Sequence, residues 1–239
     1  RLLYPKADAI IAVSEGVAAD TSRITGLPAS RIRVVKNPVI TERTLLLADE
    51  QAAHHWFDDP TIPVILAAGR LTRQKDFETL VKAFAKVRKN RKARLLILGE
   101  GRMRGPLERR ISELNLASDA DMPGFVANPY TYMQKAALFV LSSAWEGSPN
   151  VLTEALAVGT PVVATDCPSG PRELLDGGKF GPLVPVGDAE AMAAAILQVL
   201  DDPGEPDFLK SAAAEYHVNH STRGYLEALL PDFLADNRI

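Results

Sequence analysis

A series of short, strongly apolar runs, most of them bounded by Gly or Pro and followed by a stretch of helical periodicity, constrains this chain more than any other feature. PVILAAG (63–69), ARLLILG (93–99), LFVLSS (138–143), PVVAT (161–165) and GPLVPV (181–186) have the length of strands and no regular polar alternate face. Strands covered by helices on both sides have this composition, because neither face meets water. Helical patterns fall between them at 76–89, 103–115, 128–136, 149–158, 171–175 and 188–201, with a further short strand around Met122–Phe125. Such alternation implies right-handed βαβ units and hence a parallel sheet. The expected fold is α/β, a doubly wound parallel sheet (Rossmann-like) with helices on both faces. Ligands of such sheets sit beyond the carboxyl ends of the strands, so the strand-to-helix loops are where functional residues belong.

The flanks read differently. DAIIAVS (8–14) and RIRVVKNP (31–38) are strand-like, 37–62 resembles a long connection with a helix-prone stretch at 48–57, and the last 35 residues read as two helices. The expected division is an entry segment over 1–40, the sheet domain over 41–204 and C-terminal helices over 205–239. The chain opens at Arg1 inside sequence that already looks folded, so a preceding N-terminal domain is expected. The net charge of −3, without long runs of one sign, gives no electrostatic footprint for nucleic acid. No apolar run approaches the roughly 18 residues of a membrane span. The single cysteine, Cys167, cannot form an internal disulfide and suits a reducing, cytoplasmic compartment. His54, His55, His217 and His220 have no metal-site spacing, and no G-x-S-x-G elbow is present.

Four loops follow strands. Gly69–Lys75 carries Arg70, Arg73 and Lys75 just before a helix start. Three cations oppose the positive end of a helix dipole, an arrangement that makes sense with an anion between them; read alone, the loop is equally an ordinary solvated one. Gly99–Gly105 only imitates a dinucleotide fingerprint, since Arg104 stands at the third glycine position. A tight strand-to-helix turn is the better reading there. Ser142–Asn150 enters a helix with Ser148 as the expected N-cap and Pro149 as its first residue. The amides of Gly147, Ser148, Asn150 and Val151 then point outward. Glu146 sits at the corner and Glu154 about one turn in, so both carboxylates reach one cleft. Taken singly, these are a surface acid and a first-turn acid. Asp166–Glu173 is an irregular Pro/Gly loop in which Cys167 reads as a small buried hydrophobe.

In order along the chain, GRLTRQKDFETLVKAF, LLILGEG, SSAWEGSPNVLTEALAVGTPVVATD, SGPRELL and GPLVPVGD resemble family 4 glycosyltransferases of the GT-B fold. The E-x7-E spacing from Glu146 to Glu154, followed by A-x-G-x-P-V-V-A, is its most specific element. The resemblance implies the C-terminal, donor-binding half of a retaining enzyme. It would move a hexose or N-acetylhexosamine from a nucleotide sugar, expected to be UDP-linked. It casts Arg70 and Lys75 as the grip on the donor diphosphate and Glu146 as the acid on the donor sugar. Glu154 becomes the acid on the ribose, and Phe125 and Val126 part of the base-recognition strip. Gly69, Arg102, Gly147, Ser148, Asn150 and Val151 complete the expected donor-binding set. No metal or other cofactor is implied. The acceptor, a sugar, lipid-linked or glycan molecule, belongs mainly to the preceding domain, and peripheral association with the inner face of a membrane is expected. Many relatives have E-G-F-G where this chain has Glu146-Gly147-Ser148-Pro149, which leaves the donor sugar open. Asp76 stands where glycine is common. A non-catalytic nucleotide-sugar-binding module and a related GT-B synthase or phosphorylase are the alternatives; a dehydrogenase is disfavoured by the broken glycine fingerprint.

Overall fold

The apolar runs become strands in two separate sheets of the computed structural model, which describes residues 3–52 and 54–230. In the entry segment, β1 (Ile11–Ala12) and β2 (Arg33–Val34) form a two-stranded parallel sheet joined by helix α1 (Glu15–Thr25). Ser14 caps α1 by accepting the Val17 amide, and Gly26 ends it in the left-handed conformation, φ 77°.

The main sheet contains β3 (Val64–Ala68), β4 (Arg94–Leu98), β5 (Ala120–Gly124), β6 (Leu138–Leu141), β7 (Val162–Thr165) and β8 (Leu183–Val184). All pair in parallel, in the order β5-β4-β3-β6-β7-β8. The order reverses between β3 and β6, the switch point at which doubly wound sheets bind ligands.

Alternate residues of each strand serve different cores. Ile65, Ala67, Leu95, Ile97, Leu138 and Val140 face the layer of α3 (Phe77–Asn90), α4 (Arg104–Glu113) and α8 (Ala189–Asp201). Val64, Leu66, Ala68, Leu96, Leu98, Phe139 and Leu141 face α5 (Tyr130–Lys135), α6 (Asn150–Ala157) and α9 (Pro206–Ser211). Both faces being covered explains why the strands read as apolar runs. Helix α3 shows the complementary pattern: Phe77, Leu80, Val81, Phe84 and Val87 are buried at helical spacing.

Three expectations need correction. Among the described residues no helix runs over 48–57. Helix α2 (Glu42–Ala48) starts earlier because Thr41 and Thr44 cap each other reciprocally, and a short 3-10 turn follows at His55–Asp58. Nor is 37–62 a loose connection: α2 packs on α5, and the Trp56 ring is buried with the Arg94 guanidinium 5.4 Å from its centroid. Finally, Pro149 (φ −79°, ψ 83°) is the N-cap of α6 rather than its first residue, and Ser148 makes no side-chain cap. The Pro149 ψ lies outside the helical range, so the first turn begins one residue later than the Pro-at-start pattern suggests.

The C-terminal part folds back onto the entry segment. The Val39 and Ile40 amides donate to the Tyr216 carbonyl at 2.9 and 3.0 Å, and the Val218 amide to that of Ile40 at 2.8 Å. From helix α10 (Val218–Leu229), Glu227 pairs with Arg33 at 2.6 Å, and Gly224 lies against Val35. The expected helical residues beyond Leu230 lie outside the described ones.

Candidate active site

The four strand-end loops lock together mainly through their backbones. The Leu71 amide donates to Glu100 O at 2.8 Å and the Met103 amide to Leu71 O at 3.0 Å, joining the loops after β3 and β4. At Gly99, φ is 127° and a Cβ would stand 2.1 Å from the Gly69 carbonyl oxygen. Gly99 therefore serves close packing of two loops, the strand-to-helix turn favoured by its broken fingerprint. The Ala144 amide donates to Gln74 O at 2.7 Å, and the Glu146 amide to Pro168 O at 3.1 Å, which ties in the loops after β6 and β7. Asp76 adopts the left-handed region (φ 42°) and caps α3 through its carboxylate, which accepts from Thr79. The need for positive φ accounts for glycine being common there, and the cap supplies a compensating contact.

On this frame the charged residues take distinct places. Lys75 lays its stem over Gly69 and brings Nζ to 2.6 Å from Glu146 Oε1. Both side chains are largely enclosed, 14% and 7% exposed. Arg70 is exposed, and its guanidinium has no partner among the described residues. The loop's three cations thus divide into one paired, enclosed ammonium, Lys75, and two exposed guanidiniums, of which Arg70, and not Arg73, lines the cavity beside the pair.

Beside them opens a cavity of about 380 Å³. The predicted residues Gly69, Arg70, Phe125, Val126 and Val151 line it together with Glu100, Pro129 and Met133. Phe125 is 80% exposed at its mouth. Arg102 is exposed and does not line the cavity. At the start of α6 the amides of Gly147, Ser148 and Val151 have no acceptor among the described residues, whereas the expected fourth, Asn150, donates to Ser148 O at 3.0 Å. The Asn150 side chain accepts from Asn37 at 2.9 Å.

Glu154 lies inward, facing the Tyr130 hydroxyl. Burial pushes its carboxyl above the ordinary range, and the hydroxyl partly offsets this. The same burial, with the nearby Glu154 charge, raises Tyr130. Cys167 is buried and its thiol is pushed up to about 11, chiefly by desolvation, so it stays protonated and inert. Among the described residues no three His, Cys, Asp or Glu side chains gather as a metal-ligand set.

Three residues near the site escaped sequence reasoning. Glu100 in the cavity wall is held bidentately by Arg104 at 2.6 and 2.9 Å, a pair announced only by its four-residue spacing. Tyr130 and Ser143 carry no local signal of their contacts with Glu154 and Glu146.

A model of the group 1 glycosyl transferases matches residues 62–202, more than half of the chain. The chain belongs to the group 1 glycosyltransferases. Among its curated relatives, the N-acetylgalactosamine-N,N'-diacetylbacillosaminyl-diphospho-undecaprenol 4-alpha-N-acetylgalactosaminyltransferase of Campylobacter jejuni is 37% identical over 201 residues, 84% of this chain and 53% of the relative. The chain spans about half the length of the curated relatives it matches. A glycosyltransferase of known structure from Rickettsia africae superposes with a TM-score of 0.81 at 19% identity, covering 93% of this chain and 62% of the other. Anabaena HepE, solved in complex with UDP and glucose, gives 0.78 at 21% identity, covering 95% and 64%. These likenesses establish the fold, one Rossmann-like half of the GT-B architecture. No helix among the described residues is long and apolar enough to cross a membrane.

Proposed function

We propose that this chain supplies the donor site of a retaining glycosyltransferase that transfers a hexose or N-acetylhexosamine from a UDP-sugar. The observation that carries the proposal is the free Arg70 guanidinium on the rim of an apolar cavity, beside the enclosed Lys75–Glu146 pair and three open amides at the start of α6. In this reading the base occupies the cavity lined by Phe125 and Val126, with Glu154 toward the ribose. The diphosphate lies against Arg70, Lys75 and the amides of Gly147, Ser148 and Val151, and Glu146 receives a sugar hydroxyl.

The chemistry follows from charge. The bond between the anomeric carbon and the diphosphate oxygen breaks, and the electron pair leaves with the diphosphate. An acceptor hydroxyl forms the new bond on the same face, and its proton passes to a leaving-group oxygen. Fixed donors aimed at the growing charge speed such a step, each by roughly 10²–10³. Arg70, Lys75 and the α6 amides carry that load without a metal in this proposal. Segment 1–40 and the helices from 205 onward act as the hinge-side contact with a preceding acceptor domain. The diphospho-undecaprenol acceptor in the Campylobacter relative's name favours a lipid-linked acceptor met at the inner face of a membrane. The complex of Anabaena HepE with UDP makes UDP the first nucleotide to try.

Titration calorimetry with UDP, GDP and NAD tests the reading. Binding of a nucleoside diphosphate, lost on Arg70→Ala, is expected. Binding of NAD without either diphosphate overturns the proposal.

A further inference from the structure

The Lys75–Glu146 pair has a third member. The Ser143 hydroxyl, fully buried, donates to Glu146 Oε1 at 2.6 Å, the same oxygen that receives the Lys75 ammonium at 2.6 Å. The other oxygen, Oε2, has no partner among the described residues. Ser143 is itself held: the buried Thr165 hydroxyl donates to its carbonyl at 2.6 Å. Its neighbour Ser142 donates to the Lys75 carbonyl at 2.7 Å. Two consecutive serines at the end of β6 thus each hold one member of the ion pair, Ser142 the Lys75 backbone and Ser143 the Glu146 carboxylate.

We propose that Ser143 is the positioning residue for the donor-sugar acid. With Lys75 it occupies one oxygen of Glu146 and turns the other toward a sugar hydroxyl. Two strong donors on one oxygen fix the rotation of the carboxylate, and charge-assisted bonds are about twice as strong as neutral ones. The carboxylate then meets the sugar already oriented, so less conformational freedom is lost on binding. This inference rests on the reading of Glu146 as the sugar-contacting acid. It adds that sugar recognition depends on a buried hydroxyl that touches no ligand.

The test separates sugar recognition from nucleotide recognition. Calorimetry on the full-length protein compares each parent diphosphate with its sugar conjugates: UDP with UDP-glucose, UDP-N-acetylglucosamine and UDP-N-acetylgalactosamine, and GDP with GDP-mannose. The sugar increment is the ratio of the two dissociation constants for the best conjugate. Ser143→Ala is expected to leave diphosphate affinity in place while reducing the increment about tenfold or more, the scale of one hydrogen bond to a charged group. Ser143→Thr, which keeps the hydroxyl, restores it. Combining Ser143→Ala with Glu146→Gln costs no more than Glu146→Gln alone, because both act through one carboxylate. If Ser143→Ala weakens diphosphate and conjugate by the same factor, or unfolds the protein, or if Ser143→Thr fails to restore the increment, the hydroxyl is structural and the proposal falls. If Glu146→Gln removes the increment and Ser143→Ala keeps it, the Ser143 inference alone is overturned. If Glu146→Gln itself retains the increment, or the wild type shows none, the reading of Glu146 fails and this inference with it.

Discussion

Replacing Lys75 by Met removes the ammonium but keeps most of the stem that lies over Gly69. Glu146, only 7% exposed, is then left with the Ser143 hydroxyl as its side-chain donor. At 2.6 Å the gross attraction in the pair is about 6 kcal/mol for an effective dielectric of about 20. Desolvation of both groups cancels much of it, so the intact pair contributes little net stability. Removing one partner is different, because the cost of burying the other remains. The expected loss is about 3–5 kcal/mol, or about 6–20 °C in Tm for a chain of this size. Neutralising both ends in Lys75→Met/Glu146→Gln should return stability to within about 1 kcal/mol of wild type. Urea unfolding followed by circular dichroism measures all three proteins. A Lys75→Met variant as stable as wild type, or a double variant no better than the single one, would refute the picture of an enclosed, mutually compensating pair.

Arg70→Ala gives the opposite profile: stability within about 0.5 kcal/mol of wild type, since the side chain is exposed and unpartnered, with nucleoside diphosphate binding lost in calorimetry. Glu154→Gln reports on a half-buried carboxyl whose folded pKa is raised. The wild-type group favours folding fully only below about pH 4.5 and loses that contribution as pH rises through its elevated folded value. Glu154→Gln should therefore melt higher than wild type at pH 7 to 8, with the gap closing below about pH 4.5; a gap that does not change with pH contradicts the raised value. Gly99→Ala forces a Cβ to 2.1 Å from a carbonyl oxygen at φ 127°, whereas at Gly178 the φ is 111° and nothing lies within 4 Å. The first should cost about 3 kcal/mol or more and the second only the backbone strain of about 1–3 kcal/mol; equal losses in chemical denaturation would remove close loop packing as the reason for Gly99. EDTA should leave sugar transfer by the full-length protein intact, and activity restored by added metal would contradict the metal-free mechanism.

Much of the site was legible because its loops are local. The residues after β3, β4, β5, β6 and β7 are fixed by where the strands end, and the ends of parallel strands meet at one edge of the sheet. Gly69, Arg70, Phe125, Val126 and Val151 accordingly line one cavity. The start of α6 was harder, since Pro149 serves as cap or first residue according to a ψ that tertiary contacts set. The segment 37–62 misled for a related reason: Trp56 is buried in a core built from residues far along the chain, with Arg94, 38 residues on, against its ring.

The sequence by itself determined the strands, the two-sided burial and the set of strand-end residues, because apolar periodicity and Gly/Pro punctuation act over a few residues. Only the tertiary structure decided which charges meet. Lys75 and Glu146 lie 71 residues apart, and their pairing depends on β3 and β6 being neighbours at the switch point. That adjacency buries one cation against a carboxylate held by Ser143 and leaves Arg70 free at the rim, a division that no local pattern of residues encodes.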